Sequence, residues 1–433
     1  MSANLSSSPP STPDPSVPQR PLVAIIGAGP AGLMAADRLV QAGLAPVLFD
    51  RMPAPARKFL MAGRGGLNLT HSEPLDLFLT RYGAAAAHLA PAIRAFPPDA
   101  VRAFAQELGE PTFTGSSGRV FPQSFKASPM LRAWLRRLGA GGATLRLRHH
   151  WAGWTSEGAL AFQTPDGPVE MVADATILAL GGASWPRLGA NGGWAALLKA
   201  QGLEVAPFAP ANMGVRLAWS EHLRTRFAGT PVKRIALSCA GVRVRGEAVI
   251  TAEGLEGGAV YALSSRIRDL VTEAGTASIQ MDLRPDLDAA HLAARLTAAP
   301  AKLSFAERLR KAGGLSPVQA GLLREGMGER PHTAEALAHL IKAVPLTVTG
   351  VCGLERAISS AGGLAWSQVG ADYGVRGHDG LFACGEMLDW EAPTGGYLLQ
   401  ACLATGRAAA EGIIAYLRAD PGEKDRKSFE FRS

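Results

Sequence analysis

The chain is poor in cysteine. It has four, Cys239, Cys352, Cys384 and Cys402, with no C-x-x-C pair and no zinc-like cluster. This excludes a closely spaced redox dithiol and gives no reason to expect a metal centre. It points instead to four separate reduced thiols in a cytoplasmic protein. Long apolar runs are also missing: none approaches the roughly 20 residues of a membrane span. Residues 1–20 are rich in Ser and Pro and lack an apolar stretch, so they read as a disordered tail rather than a signal peptide. Charged residues make up only 19% of the chain. The net charge of +7 is scattered, so neither nucleic acid nor a membrane is expected as partner.

What is present is enough apolar residue, 47% of 433, for two or three domains. The rest is organised around residues 21–50. Leu22 to Ile26 is an apolar, β-branched run of the kind buried on both faces of a sheet. Gly27, Gly29 and Gly32 follow in G-x-G-x-x-G spacing, flanking Pro30 and Ala31. In that motif the first glycine makes the tight turn, the second admits a pyrophosphate, and the third lets helix and strand pack closely. A helix from Ala31 to Leu39 would aim its first N–H groups at the phosphates. A second strand, Pro46 to Phe49, ends on Asp50, placed to accept hydrogen bonds from an adenosine ribose. Strand, glycines, helix, strand and acid in this order predict a dinucleotide site.

Beyond Asp50 and Arg51, Pro53 and Pro55 predict irregular chain, and Gly63, Gly65 and Gly66 a loop that allows close approach. Arg57, Lys58 and Arg64 suit phosphate or carbonyl oxygens, with Asn68 and Thr70 as neutral partners; a solvated basic loop is the alternative. GAGPAGLMAA followed by ARKFLMAGRGGLNLTHSE resembles the bacterial BaiN-like, or aminoacetone-oxidase-like, NAD(P)/FAD-dependent oxidoreductases. This chain has Gly66-Leu67 where that family's loop carries Arg-Cys, and His71 in place of the loop's final Asn. The match therefore implies a divergent branch without chemistry at that cysteine. The family's G-R-[VF]-[FY]-P segment recurs as Arg119 to Pro122, its A-T-G-G-x-S-x-P as ALGGASWP, and its G-E-x-L-D…T-G-G-Y-x-L-Q near the C-terminus.

Helices are predicted at Ala84 to Phe96, Pro98 to Leu108 and Ser128 to Leu138, and Gly139 to Gly142 read as a helix terminus. A β-meander follows from Thr144, with a turn at Pro165-Asp166-Gly167, crossing to a parallel strand, Thr176 to Leu180. That strand ends on Gly181 and Gly182, again suggesting close backbone approach to the cofactor. Pro207 to Pro210 reads as a boundary. Alternation at Val242 to Arg245 and Ala248 to Thr251 suggests antiparallel strands, and residues 289–343 look helical. Thr347 to Cys352 is expected to return the chain to the first domain.

The fold expected is α/β: a two-halved FAD-binding Rossmann domain with an inserted β-barrel-like domain carrying a small helical piece. The expected divisions are 1–20 tail, 21–206 and 351–417 for the two FAD-binding parts, 207–350 for the insert, and 418–433 charged tail. The resemblance implies FAD as a tight cofactor, with Gly385 and Glu386 near its ribityl chain and pyrophosphate. Thr394, Gly395, Gly396 and Tyr397 would open a helix, Leu398 to Ile414, whose dipole favours negative charge at the flavin N1–C2 carbonyl. The function expected is hydride transfer through flavin N5 to or from a small-molecule substrate, with NAD(P)H as a possible transient co-substrate. The alternative is a flavoprotein that uses FAD as a sensing or structural cofactor. No acid–base stands out. His71, Arg119 and Tyr397 are the candidates, with a loop hydrogen-bonding role for His71 and a surface turn for Arg119 as the plainer readings.

Overall fold

A computed structural model describes residues 21–419; the segments expected as tails, 1–20 and the end from 420 onward, lie outside them. The first unit is a five-stranded sheet of β1 (Val23–Ile26), β2 (Val47–Asp50), β3 (Thr144–Leu147), β4 (Ala175–Leu178) and β5 (Leu381–Ala383), in spatial order β5-β4-β1-β2-β3. All its pairings are parallel, with Ile25 between Leu48 and Ile177. Every residue of β1, β4 and β5 is buried, as a parallel sheet covered on both faces requires. Strand order runs outward from β1 in one direction and then resumes on its other side. The crevice at the carboxyl ends of β1 and β4 is therefore the topological switch point, where such sheets take ligands.

Two helices cover the crevice. Helix α1 (Pro30–Gln41) starts on Pro30, whose missing N–H costs nothing at a first turn. The 22-residue helix α2 (Tyr397–Arg418) crosses it at backbone distance: a Cβ on Gly406 would lie 2.2 Å from the Ala31 carbonyl oxygen. A small sheet pairs Arg119–Pro122 with Thr70–His71 and Thr112–Thr114. The expected meander is His150–Trp154, Leu160–Thr164 and Gly167–Met171. Gly141 ends the helix Ala127–Ala140. The stretch between the prolines at 53 and 55 and the glycines from 63 holds a short helix, Arg57–Ala62, rather than irregular chain, because six residues without Pro or Gly suffice for one.

The second unit is a closed six-stranded barrel of Val215–Leu217, Pro231–Cys239, Val242–Ile250, Gly254–Glu256, Ala277–Asp282 and Val344–Val351, with its own apolar core. Four helices between Ala289 and Lys342 pack on it. Three sequence readings are corrected here. Pro207 to Pro210, read as a boundary, lies within strand Val205–Ala211; its pairing with Ser359–Leu364 slips between Ala206 and Ala209, which absorbs Pro207, while Pro210 pairs in register with Ser360 in a two-stranded sheet, where a proline is tolerated. Val242–Ile250 is one strand, because its partner carries the bulge, between Val232 and Ile235. Thr347–Val351 belongs to the last barrel strand, and the chain rejoins the first unit at Ser359–Leu364.

Inside the barrel unit, Asp282 is 2% exposed and takes Lys342 at 2.7 Å and Arg243 at 2.5 Å. Removing the carboxylate takes from the largely buried Lys342 its only anion among the described residues, so that it keeps just the Arg284 and Leu287 carbonyls, and leaves the Arg284 N–H without its acceptor. Asp282→Ala is expected to lower stability by about 3 kcal/mol in denaturant unfolding. An unchanged midpoint would contradict this.

Candidate functional site

A cavity of about 960 Å³ opens at the switch point, walled by the first unit and by Asn212 and Ile358 on the two connections to the barrel. Its floor is the turn after β1. Gly27 has φ +111°, and a Cβ there would lie 2.2 Å from the Ala179 carbonyl oxygen, so only glycine fits. Gly29 has open space where its Cβ would be, on the cavity side. The first N–H groups of α1 have no partner within the helix and point the same way. At the opposite end Gly395 (φ +140°) and Gly396 (φ +93°) deliver the N-terminus of α2 onto the same wall. Two helix N-termini therefore converge on one space, which suits an anionic ligand.

Asp50 closes one end. Its Oδ2 accepts the Ala28 N–H at 3.1 Å and its Oδ1 the Met52 N–H at 2.8 Å, which fixes the carboxylate and leaves lone pairs for ligand hydroxyls. Burial pushes its pKa up, and the two main-chain hydrogen bonds only partly oppose that. At the other end Asn68 donates both amide hydrogens, to the carbonyls of Thr70 (2.8 Å) and Val120 (3.1 Å), so its Oδ1 is left to accept. Between them Lys58 donates to Glu386 and to Ser184 Oγ, both at 2.8 Å, tying the loop after β2 to the end of β5. Among the side chains on the wall, the cations Arg51, Arg57, Lys58 and Arg119 outnumber the carboxylates Asp50 and Glu386.

Of the residues singled out in the sequence, Gly27, Gly29, Pro30, Ala31, Asp50, Arg51, Lys58, Gly65, Asn68, Gly181, Gly385, Glu386, Thr394, Gly395, Gly396 and Arg119 line the cavity. Others lie behind its wall. A Cβ on Gly32 would lie 1.9 Å from the Gly27 carbonyl oxygen, and one on Gly182 would lie 1.9 Å from Ser360 Oγ, so both glycines serve packing. Thr70 is fully buried and donates to Gln400 Oε1 at 2.7 Å. Tyr397 turns away and donates to Glu73 at 2.6 Å; burial and then that bond push its phenol pKa up, so it stays protonated at neutral pH. His71 stacks on Tyr397, with Nδ1 accepting the Glu73 N–H and Nε2 facing the Ser117 carbonyl, so neither ring nitrogen is available to a substrate. The Arg64 side chain is outside those described.

Further wall residues come from places the sequence did not flag. His149 to Ala152 follow β3, the neighbour of β2, and reach the Asp50 end. Trp185 holds φ +56°, unusual for a bulky residue, while donating its N–H to Leu354 from the barrel side. Asn212 enters from the strand leading into the barrel. It is 4% exposed, it donates to Ser359 Oγ and the Ala392 carbonyl, and its buried Oδ1 has no partner. Cys384 and Cys402 also touch the cavity, but burial raises both thiol pKa values, that of Cys402 to about 12, so they offer no thiolate. No group of three potential metal ligands occurs among the described residues.

The model of the HI0933-like protein Rossmann domain matches residues 21–412. The chain belongs to this family. A curated HI0933-like relative, the 3-dehydro-bile acid delta(4,6)-reductase of Clostridium scindens, is 28% identical over 420 residues, 90% of this chain and 99% of that one. Two solved structures share the fold. A flavocytochrome c3 fumarate reductase in its open conformation has a TM-score of 0.51 at 16% identity, covering 93% of this chain and 80% of its own. The 3-ketosteroid delta1-dehydrogenase of Sterolibacterium denitrificans has 0.52 at 12% identity, covering 91% and 99%. The HI0933-like chain is thus an FAD-dependent oxidoreductase with a Rossmann-type FAD-binding fold and a barrel insert. No helix among the described residues is long and apolar enough to cross a membrane. The cavity fits FAD on its own terms: a ribose acceptor, two helix N-termini and a positive balance of charge lie along one wall.

Proposed function

We propose that this oxidoreductase reduces a carbon–carbon double bond conjugated to a carbonyl in a small, largely apolar substrate, with NAD(P)H as the source of electrons. The carrying observation is this cavity, which has a dinucleotide cradle along one side and apolar residues, Leu67, Trp185 and Ile358 among them, elsewhere on its wall. The activity for which the Clostridium scindens relative is named supports the choice of bond.

When bound, FAD supplies a two-electron carrier that takes and gives a hydride at N5. The protein's part is placement. Asp50 would hold the adenosine ribose, the turn at Gly29 and the α1 N-terminus the pyrophosphate, and Gly385 and Glu386 the ribityl chain. The α2 N-terminus at Gly395 and Gly396, beside the acceptor Asn68, would stabilise negative charge on the flavin. In the reduction the hydride adds to the β-carbon, the carbonyl oxygen gains the displaced electron pair, and the α-carbon then takes a proton from water.

The test is a spectrum of the purified holoenzyme under argon. The flavin bands are expected to bleach with NADH or NADPH and to return on adding a steroid 4-en-3-one. Bands that resist both nucleotides, or a reduced enzyme that the enone leaves reduced, would sink the proposal.

A further inference from the structure

We infer that Arg119 binds the carbonyl oxygen of the substrate and stabilises the negative charge that gathers there during hydride addition. This rests on the function proposed above and adds a catalytic residue to it.

The cations of the cavity wall have separate positions and partners. Arg51 and Arg57 lie by Asp50 and act on its carboxylate. Lys58 is committed to Glu386 and Ser184. Arg119 alone of the four stands at the far end. Its strand pairs with Thr70–His71, and Thr70 is the residue whose backbone a Cβ on Gly396 would strike at 2.6 Å, so Arg119 sits beside the α2 N-terminus. Among the described residues its guanidinium makes no hydrogen bond, ion pair or ring contact, although the residue is half-buried and lines the cavity. A half-buried guanidinium without an anion is a poor structural element and a ready binding group: it offers planar donors to an oxygen that becomes negative, in a setting drier than water.

The surroundings favour an apolar molecule with one polar end. Phe113, Phe121 and Phe125 pack together beside Gly66, which is on the cavity wall, and Phe125 remains 48% exposed. Ile358 on the barrel side of the cavity is 42% exposed. An apolar body held against the wall at Leu67 and Ile358 would leave its oxygen for Arg119. The other claimant on that guanidinium is a flavin carbonyl oxygen. The free N–H groups of α2 already serve that role from a rigid helix end, which leaves Arg119 for the substrate.

The experiment compares holoenzyme carrying Arg119→Met and Arg119→Lys with the parent in the two half-reactions. Expected for Arg119→Met are retained FAD and unchanged reduction by NAD(P)H, with reoxidation by saturating steroid 4-en-3-one slowed about 100-fold. Arg119→Lys, which keeps the charge but loses the fork, should fall between and guards against a merely damaged fold. Reoxidation of Arg119→Met at the parental rate overturns the inference while leaving the proposed function standing. So does a matching loss of FAD, which would assign the guanidinium to the cofactor. If the parent itself is not reoxidised by the enone, the proposed function fails and the inference falls with it.

Discussion

Gly27→Ala is expected to give a colourless, weakened protein. The new methyl would have to coexist with a backbone carbonyl oxygen 2.2 Å away, on the segment leaving β4, at a φ of +111° that L-residues avoid. Neither neighbour can move cheaply, because Gly27 also donates its N–H to Phe49 at 2.8 Å and so holds the turn against β2 as well. Strain and overpacking together should cost about 3 kcal/mol, and the displaced turn should lower FAD affinity about 100-fold. Gly29→Ala is the control. Its φ is −81° and a Cβ there meets nothing within 4 Å, so the apoprotein should melt as the parent does while FAD affinity alone falls. Titration of apoprotein with FAD, beside thermal melts, separates the two. Equal melting temperatures for both variants would contradict the assignment.

Asp50→Ala should weaken FAD binding by about 100-fold or more, since it removes a charge-assisted acceptor for the ribose and frees the N–H groups of Ala28 and Met52. Asp50→Asn keeps one oxygen and should lose about tenfold. The same residue sets a pH dependence. The carboxylate is the form that accepts ribose hydroxyls, so FAD binding lowers its pKa relative to the empty site. Affinity is therefore complete above the pKa of the free protein and lost as pH falls through it. Because burial raises that pKa above the ordinary carboxylate value, the loss should begin at a higher pH than for an exposed aspartate, and it should be absent in Asp50→Asn. An Asp50→Asn protein that retains the acidic fall-off would assign the effect elsewhere.

The cradle was legible because its parts are local. Strand, glycine turn, helix, strand and acid occupy thirty contiguous residues, each fixed by backbone constraints that few residue types satisfy. The N-terminus of α2 was legible for the same reason, through Gly395 and Gly396. What the sequence hid was direction. Thr70 and Tyr397 belong to the right segments but point backward, toward Gln400 and Glu73, where they hold Gly396 against Thr70 and Gly395 against the Tyr397 ring. Trp185 and Asn212 were invisible because their place on the wall depends on contacts across the two units, to Leu354 and Ala392. The proline at 207 misled for a different reason: a slipped ladder absorbs a residue that a regular one rejects.

That slipped pair of strands, Val205–Ala211 against Ser359–Leu364, makes the whole barrel a hairpin as seen from the parallel sheet. Its two stems leave and return side by side, so the host closes the same short gap whatever hangs beyond it. Closure entropy rises only with the logarithm of length. Enlarging, trimming or replacing the distal parts of the barrel therefore taxes the cradle little, whereas the few residues that come off the stems toward the cavity, Asn212 and Ile358 among them, are where a change in the insert would reach the ligand. Variation in what the molecule acts on can accumulate in one module while the other keeps its cofactor.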